Sequence, residues 1–100
     1  MKGDYIMQQI TVSDLQQRLS TTTLSLIDVR PSEAFHQNHL SQAVSIPLET
    51  LPAQLHSLSK QETHYIICTK GIRSMQACEL LEKEGFSVIN VTDGMNGLSS

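Results

Sequence analysis

HYIICTKGIRSMQACELLEKEGFSVINV, residues 64–91, decides the fold class. His64 to Cys68 is an apolar run of the kind a strand shows when both of its faces are covered. The loop TKGI follows, then RSMQACELLEKE, which reads as a helix ending at Gly85, a good C′ residue. Phe86 to Val91 is the next strand, closed by Asp93-Gly94. Strand, helix and strand in this order predict a parallel β-α-β unit.

The pattern extends towards the N-terminus. LSLIDV, residues 24–29, is another nearly continuous apolar run, closed by Pro31. SEAFHQ, residues 32–37, reads as a short helix with Pro31 near its start. AVSIPL, residues 43–48, is extended, and Pro47 bars it from a central ladder position. Thr50 or Leu51 opens a helix through PAQLHSL, with Leu51, Leu55 and Leu58 on one stripe. QQITV, residues 8–12, is a short edge strand, after which Ser13 is the expected N-cap of SDLQQRL. The sum is an α/β fold, a small parallel sheet flanked by helices on both faces, in a single domain over residues 1–100.

Composition narrows the partners. Hydrophobic residues make up 39% of the 100, too many for a disordered tail, and charged residues only 17%. The net charge of −3 gives no basic field, so neither nucleic acid nor an anionic membrane is an expected partner. No stretch approaches the roughly 18 apolar residues of a membrane span, and the first ten residues lack a signal-peptide core. A cytoplasmic, reducing location is the expectation. Cys68 and Cys78 are spaced neither as a CxxC pair nor as a zinc knuckle.

In a parallel sheet, ligands gather where strand carboxyl ends meet helix N-termini. Cys68 ends a buried strand, and the loop after it carries Gly71 in its middle. A glycine there lets successive backbone N–H groups turn inward as an anion nest, and the helix start adds donors and positive potential. Lys70 and Arg73 bring two cations to the same loop. Each of these favours thiolate over thiol, which makes Cys68 a candidate nucleophile without a histidine base. The competing reading is an inert core cysteine. Cys78, mid-helix with Ala77 and Leu81, reads as packing.

CTKGIRS, residues 68–74, resembles the C-x-x-G-x-R-S active-site loop of single-domain rhodaneses, and LIDVRPSEAFHQNHLSQAVSIPL, residues 26–48, resembles that family's strand and loop pattern. The order of elements agrees from about residue 8 to about residue 97. The resemblance implies a sulfurtransferase in which Cys68 takes a sulfane sulfur from thiosulfate or a persulfide donor and passes it to a thiophilic acceptor. It implies that Thr69, Lys70, Gly71, Ile72, Arg73 and Ser74 cradle the substrate. It further implies that Asp28 and Arg30 match the family's D-x-R, with Arg30 either facing the pocket or paired with Asp28. No cofactor or metal is expected. Partners would be a small sulfur donor and a thiol or cyanide acceptor, with a sulfur-relay protein among the candidates. The loop is C-x4-R, shorter than the C-x5-R of phosphatase-like and arsenate-reductase-like relatives, which argues against phosphate and arsenate chemistry.

The chain also departs from the pattern. Asn38 and Gln42 stand where glycines are frequent, and GMNGLSS replaces the usual Gly-Gly…Trp ending, as in a trimmed member or a domain of a longer protein. Thr69 replaces a basic residue of many thiosulfate-using members, leaving thiosulfate as a surrogate donor. The rival classes are a non-catalytic binding or regulatory module, a thiol oxidoreductase using Cys68 with Cys78 or glutathione, and an oxyanion hydrolase. His36 and His39 have ligand-like spacing but no third ligand, and Ser74, a histidine and Asp28 could be drawn as a triad that the spacing does not demand.

Overall fold

The computed structural model describes residues 7–98. Five strands, β1 (Gln9–Ile10), β2 (Ser25–Asp28), β3 (Ala43–Ser45), β4 (His64–Ile67) and β5 (Val88–Val91), pair in the order β1-β5-β4-β2-β3. Every pairing is parallel. The apolar runs of β2 and β4 lie inside the sheet, and side chains alternate between two cores. Ile27, Ile66 and Val88 face a core closed by Leu51 of α3 (Leu51–Gln54) and by Ala77, Cys78 and Leu81 of α4 (Ile72–Lys83). Leu26, Tyr65, Ile67 and Val91 face the other, closed by Val12 and Leu15 of α1 (Val12–Leu19) and by Met95 and Leu98 of a C-terminal 3-10 segment, Gly94–Leu98. This is the expected α/β sheet with helices on both faces.

Strand order locates the site. From β2 the chain moves outward to β3 on one side; from β4 it moves outward to β5 on the other. The connections therefore diverge between β2 and β4, and a crevice opens at the carboxyl ends of that pair. Asp28 and Ile67 are register partners there, which puts Cys68 and Arg30 just beyond the ends of neighbouring strands.

Three elements differ from the sequence expectation. The N-cap of α1 is Thr11, not Ser13. The Thr11 hydroxyl accepts from the Asp14 amide at 3.1 Å, and the earlier start buries Val12 completely. Asp93 Oδ1 also accepts from the Val12 amide at 2.8 Å, tying the end of the chain to this helix. The expected helix through PAQLHSL is instead one turn, α3, between the 3-10 turns Leu48–Thr50 and Leu55–Ser57. The Thr50 and Ser57 hydroxyls donate to the Pro47 and Gln54 carbonyls and so compete with helix propagation. Phe86 lies before β5, in the turn that closes the C-terminus of α4. The Phe86 amide donates to the Leu81 carbonyl at 3.0 Å and the Gly85 amide to that of Glu82 at 3.0 Å.

The other expectations on these elements stand. α2 (Ser32–Gln37) follows Pro31, and Pro47 lies beyond β3, flanked by the amides of Ile46 and Leu48 that bond to the carbonyls of Asp28 and Val29.

Candidate active site

α4 has an unusual start. Gly71, its N-cap, is left-handed (φ 91°, ψ 2°) and offers no capping side chain. The orphan amides of the first turn therefore need another acceptor. Cys68 Sγ provides it, accepting from the Ser74 amide at 3.2 Å and from the Gly71 amide at 3.2 Å. The sulfur thus does the work of an N-cap side chain. No residue but glycine fits at position 71, because a Cβ there would collide with the Thr92 carbonyl oxygen and φ is positive.

Below the loop, the C-terminal 3-10 segment acts as a brace. The Met95 amide donates to the Cys68 carbonyl at 2.7 Å and the Asn96 amide to the Thr69 carbonyl at 2.9 Å. Gly94, also at positive φ, makes this approach possible, since a Cβ would strike the Cys68 carbonyl oxygen. The segment GMNGL, residues 94–98, therefore holds the backbone of Cys68 and Thr69 in place.

Burial on its own would push the Cys68 thiol up. The Ser74 hydroxyl and the amides of Ser74, Gly71 and Lys70 outweigh it, and the thiol lies below its ordinary value. The Ser74 hydroxyl oxygen is 3.3 Å from Sγ, taking the thiol proton in the neutral state. Cys68 helps line a depression of about 380 Å³ together with Thr69, Lys70, Ile72 and Arg73. The Arg73 guanidinium lies 3.8 Å from Glu49 in an exposed pair. A slightly larger depression of about 420 Å³ lies beside edge strand β3, but the converging donors are at Cys68.

The sequence-singled residues fall into two groups. Cys68 through Ser74 come together around the sulfur. Asp28 and Arg30 stand apart from it as a pair: the guanidinium holds both carboxylate oxygens at 2.8–3.1 Å, and Nη2 also donates to the Asn38 carbonyl at 2.7 Å. Both residues are buried. Arg30 thereby fixes the turn after α2 and is not among the residues lining the Cys68 depression. Cys78 is fully buried, and burial first, then Glu82, Cys68 and Glu79, pushes its thiol up to about 12.

The histidines go elsewhere. His39 stacks on Phe35 at 3.8 Å, and His64 is buried, bridging Ser25 Oγ at 2.6 Å and the Ser59 carbonyl at 2.7 Å. The drawn Ser74–His–Asp28 triad is not assembled, because Asp28 is taken by Arg30 and Ser74 by Cys68 and Asn90. Asn90 is the residue the sequence reading missed. Its signal was present, a lone amide side chain in the apolar strand FSVINV.

The model of the rhodanese-like domain matches residues 11–100. The chain belongs to the rhodanese-like domain family. Among relatives, it is 34% identical over 89 residues to the "Putative sulfurtransferase YtwF" of Bacillus subtilis, covering 88% of this chain and 86% of that one. It is 29% identical over 75 residues to the thiosulfate sulfurtransferase PspE of Escherichia coli, covering 73% and 72%. A crystal structure of a rhodanese-like domain protein from Staphylococcus aureus superposes with a TM-score of 0.89 at 34% identity, covering 94% of this chain and 93% of that one. The rhodanese-like fold is thus matched along nearly the whole chain, and these two relatives are named as sulfurtransferases. Among the described residues no helix is long and apolar enough to cross a membrane.

Proposed function

We propose that this rhodanese-like domain transfers sulfane sulfur through a persulfide on Cys68, from thiosulfate or a persulfide donor to cyanide or a thiol. The observation that carries the reading is the pair of backbone amides, Gly71 and Ser74, that donate to Cys68 Sγ at 3.2 Å, with the Ser74 hydroxyl oxygen 3.3 Å away and a depression lined by Cys68 and its loop beside them.

In the first step the Cys68 thiolate attacks the outer sulfur of thiosulfate. The new S–S bond forms as the old one breaks, and sulfite leaves with the bonding pair; a persulfide donor releases a thiolate in the same way. In the second step cyanide attacks the outer sulfur of the persulfide, thiocyanate leaves, and the Cys68 thiolate returns. Charge moves between Sγ and the outer sulfur in both steps. Donors fixed in advance around that path stabilise it without reorganising. Lys70 and Arg73, beside the depression, favour an anionic donor, and the depression itself admits a thiol carried on a sulfur-relay protein. A disulfide mechanism through Cys78 is disfavoured, since that thiol is fully buried and stays protonated at neutral pH.

The test is thiocyanate formation from cyanide, with thiosulfate and a small-molecule persulfide supplied separately as donors. Turnover with either donor that vanishes in Cys68→Ser is the expected result. Equal turnover in Cys68→Ser would overturn the assignment.

A further inference from the structure

Asn90 lies in the middle of β5, flanked by Val88, Ile89 and Val91, and is fully buried. Burying a primary amide among apolar side chains is unfavourable unless its donors and acceptor are met. Here they are met, and by the sulfur's own neighbours. Oδ1 accepts from the Ser74 hydroxyl at 2.5 Å, while Nδ2 donates to the Gly71 carbonyl at 3.3 Å and reaches Gln9 Oε1 at 3.5 Å. The Gly71 carbonyl can only accept, so the NH2 group must face it and Oδ1 must face Ser74.

Gly71 and Ser74 are the two residues whose amides donate to Cys68 Sγ. We propose that Asn90 is a positioning residue for the Cys68 sulfur, one buried side chain that holds both residues of its donor ring at once from the neighbouring strand. Gripping the Gly71 carbonyl fixes the left-handed turn of that residue, and gripping the Ser74 hydroxyl fixes the first turn of α4. Asn90 touches no reacting atom and acts only through these two. Its value to catalysis rests on the sulfur-transfer reading above; its effect on the thiol does not.

A second effect works in the opposite sense. Ser74 has one hydroxyl proton, and Asn90 Oδ1 draws it away from a Cys68 thiolate. On this proposal, holding two amides on the sulfur counts for more than one shared hydroxyl proton, so that Asn90 on balance favours the thiolate. The charged and titratable groups around Cys68 are Lys70 in the loop, Arg73 on α4 with its partner Glu49, Cys78 in the shared core, and the Asp28–Arg30 pair beyond β2. Asn90→Leu changes none of them and exchanges one neutral side chain for another. A shift it causes is therefore not a direct charge effect.

The experiment is the pH dependence of Cys68 alkylation by iodoacetamide in the whole chain, read by mass. The proteins compared are the unmodified sequence, Asn90→Leu, the milder Asn90→Ser, Ser74→Ala and the double variant. Val88→Ala, in the same strand, serves as a control for general loosening. Loss of Asn90 should raise the midpoint by about one pH unit, equivalent to roughly tenfold slower alkylation below the midpoint. The shift in the double variant should be smaller than the sum of the single ones, because both act on the same ring. Val88→Ala should lower the melting temperature without moving the midpoint. If Asn90→Leu does not fold, Asn90→Ser carries the test. An unmoved midpoint, a lowered one, or an equal shift in Val88→Ala would overturn the proposal. Failure of the unmodified protein to take up sulfur would count against sulfur transfer alone, since alkylation needs no sulfur donor.

Discussion

Cys68 and Cys78 share one hydrophobic core, 2% and 0% exposed, and yet are opposite kinds of thiol. Burial raises both. At Cys78, inside a helix whose amides are already spent on its own carbonyls, nothing opposes burial, and the thiol rises to about 12. At Cys68, one residue beyond a strand and just before a helix whose N-cap is glycine, unspent amides turn to the sulfur and reverse the direction. What lowers one thiol and raises the other is therefore the supply of unpaired backbone donors, and exposure does not distinguish the two.

The largest effect that would break this comparison is on turnover. Cys68→Ser should lower sulfur transfer by at least about a thousandfold, while Cys78→Ala leaves it unchanged, measured as thiocyanate release. Comparable losses in both variants would mean that the two thiols work as a pair. Next comes Ser74→Ala. The Ser74 hydroxyl helps hold the Cys68 thiol down but shares its one proton with Asn90, so losing it should raise the Cys68 midpoint by up to about one unit. Transfer at neutral pH should slow by up to about tenfold, as a pH–rate profile would show.

Gly71→Ala sharpens the role of the loop. A methyl at positive φ, aimed at the Thr92 carbonyl, should cost about 1–3 kcal/mol in urea unfolding and slow Cys68 alkylation by displacing its amide. Retained stability with retained reactivity would show that the left-handed turn is dispensable. The smallest effect is on stability against pH, where the two thiols should act with opposite signs. The thiol of Cys78 is raised in the fold, so its contribution is complete below the ordinary thiol range and is lost as pH rises towards 12. That of Cys68 is lowered, so its contribution is present above the ordinary thiol range and is lost as pH falls through the folded value. Unfolding free energies from pH 7 to 10 should therefore drop more steeply in Cys68→Ser than in Cys78→Ala.

Much of this was legible in the chain. The apolar runs at LSLIDV and HYIIC needed cover on both faces, and their alternation with helices implied a parallel sheet. Cys68 followed from its place between a buried strand and a glycine-bearing loop. Less legible were features set by distant partners. Thr11 rather than Ser13 caps α1 because only that start buries Val12 in a core shared with the C-terminal segment. PAQLHSL fragments because nearby hydroxyls offer its carbonyls local bonds. Arg30 had two readings open, and the carbonyl of Asn38, which it also holds, had no signature in the sequence. Asn90 escaped notice because a single amide in a strand announces burial but not its partners.

The central claim, that Cys68 carries the transferred sulfur, is tested most directly by intact mass after brief treatment with thiosulfate and, separately, with a small persulfide donor. Cys68→Ser and Cys78→Ser are treated alongside. The account predicts one added sulfur atom, removed by cyanide, present in the unmodified chain and in Cys78→Ser and absent in Cys68→Ser. No adduct from either donor on a Cys68 that alkylates readily, or an adduct that survives in Cys68→Ser, would contradict it.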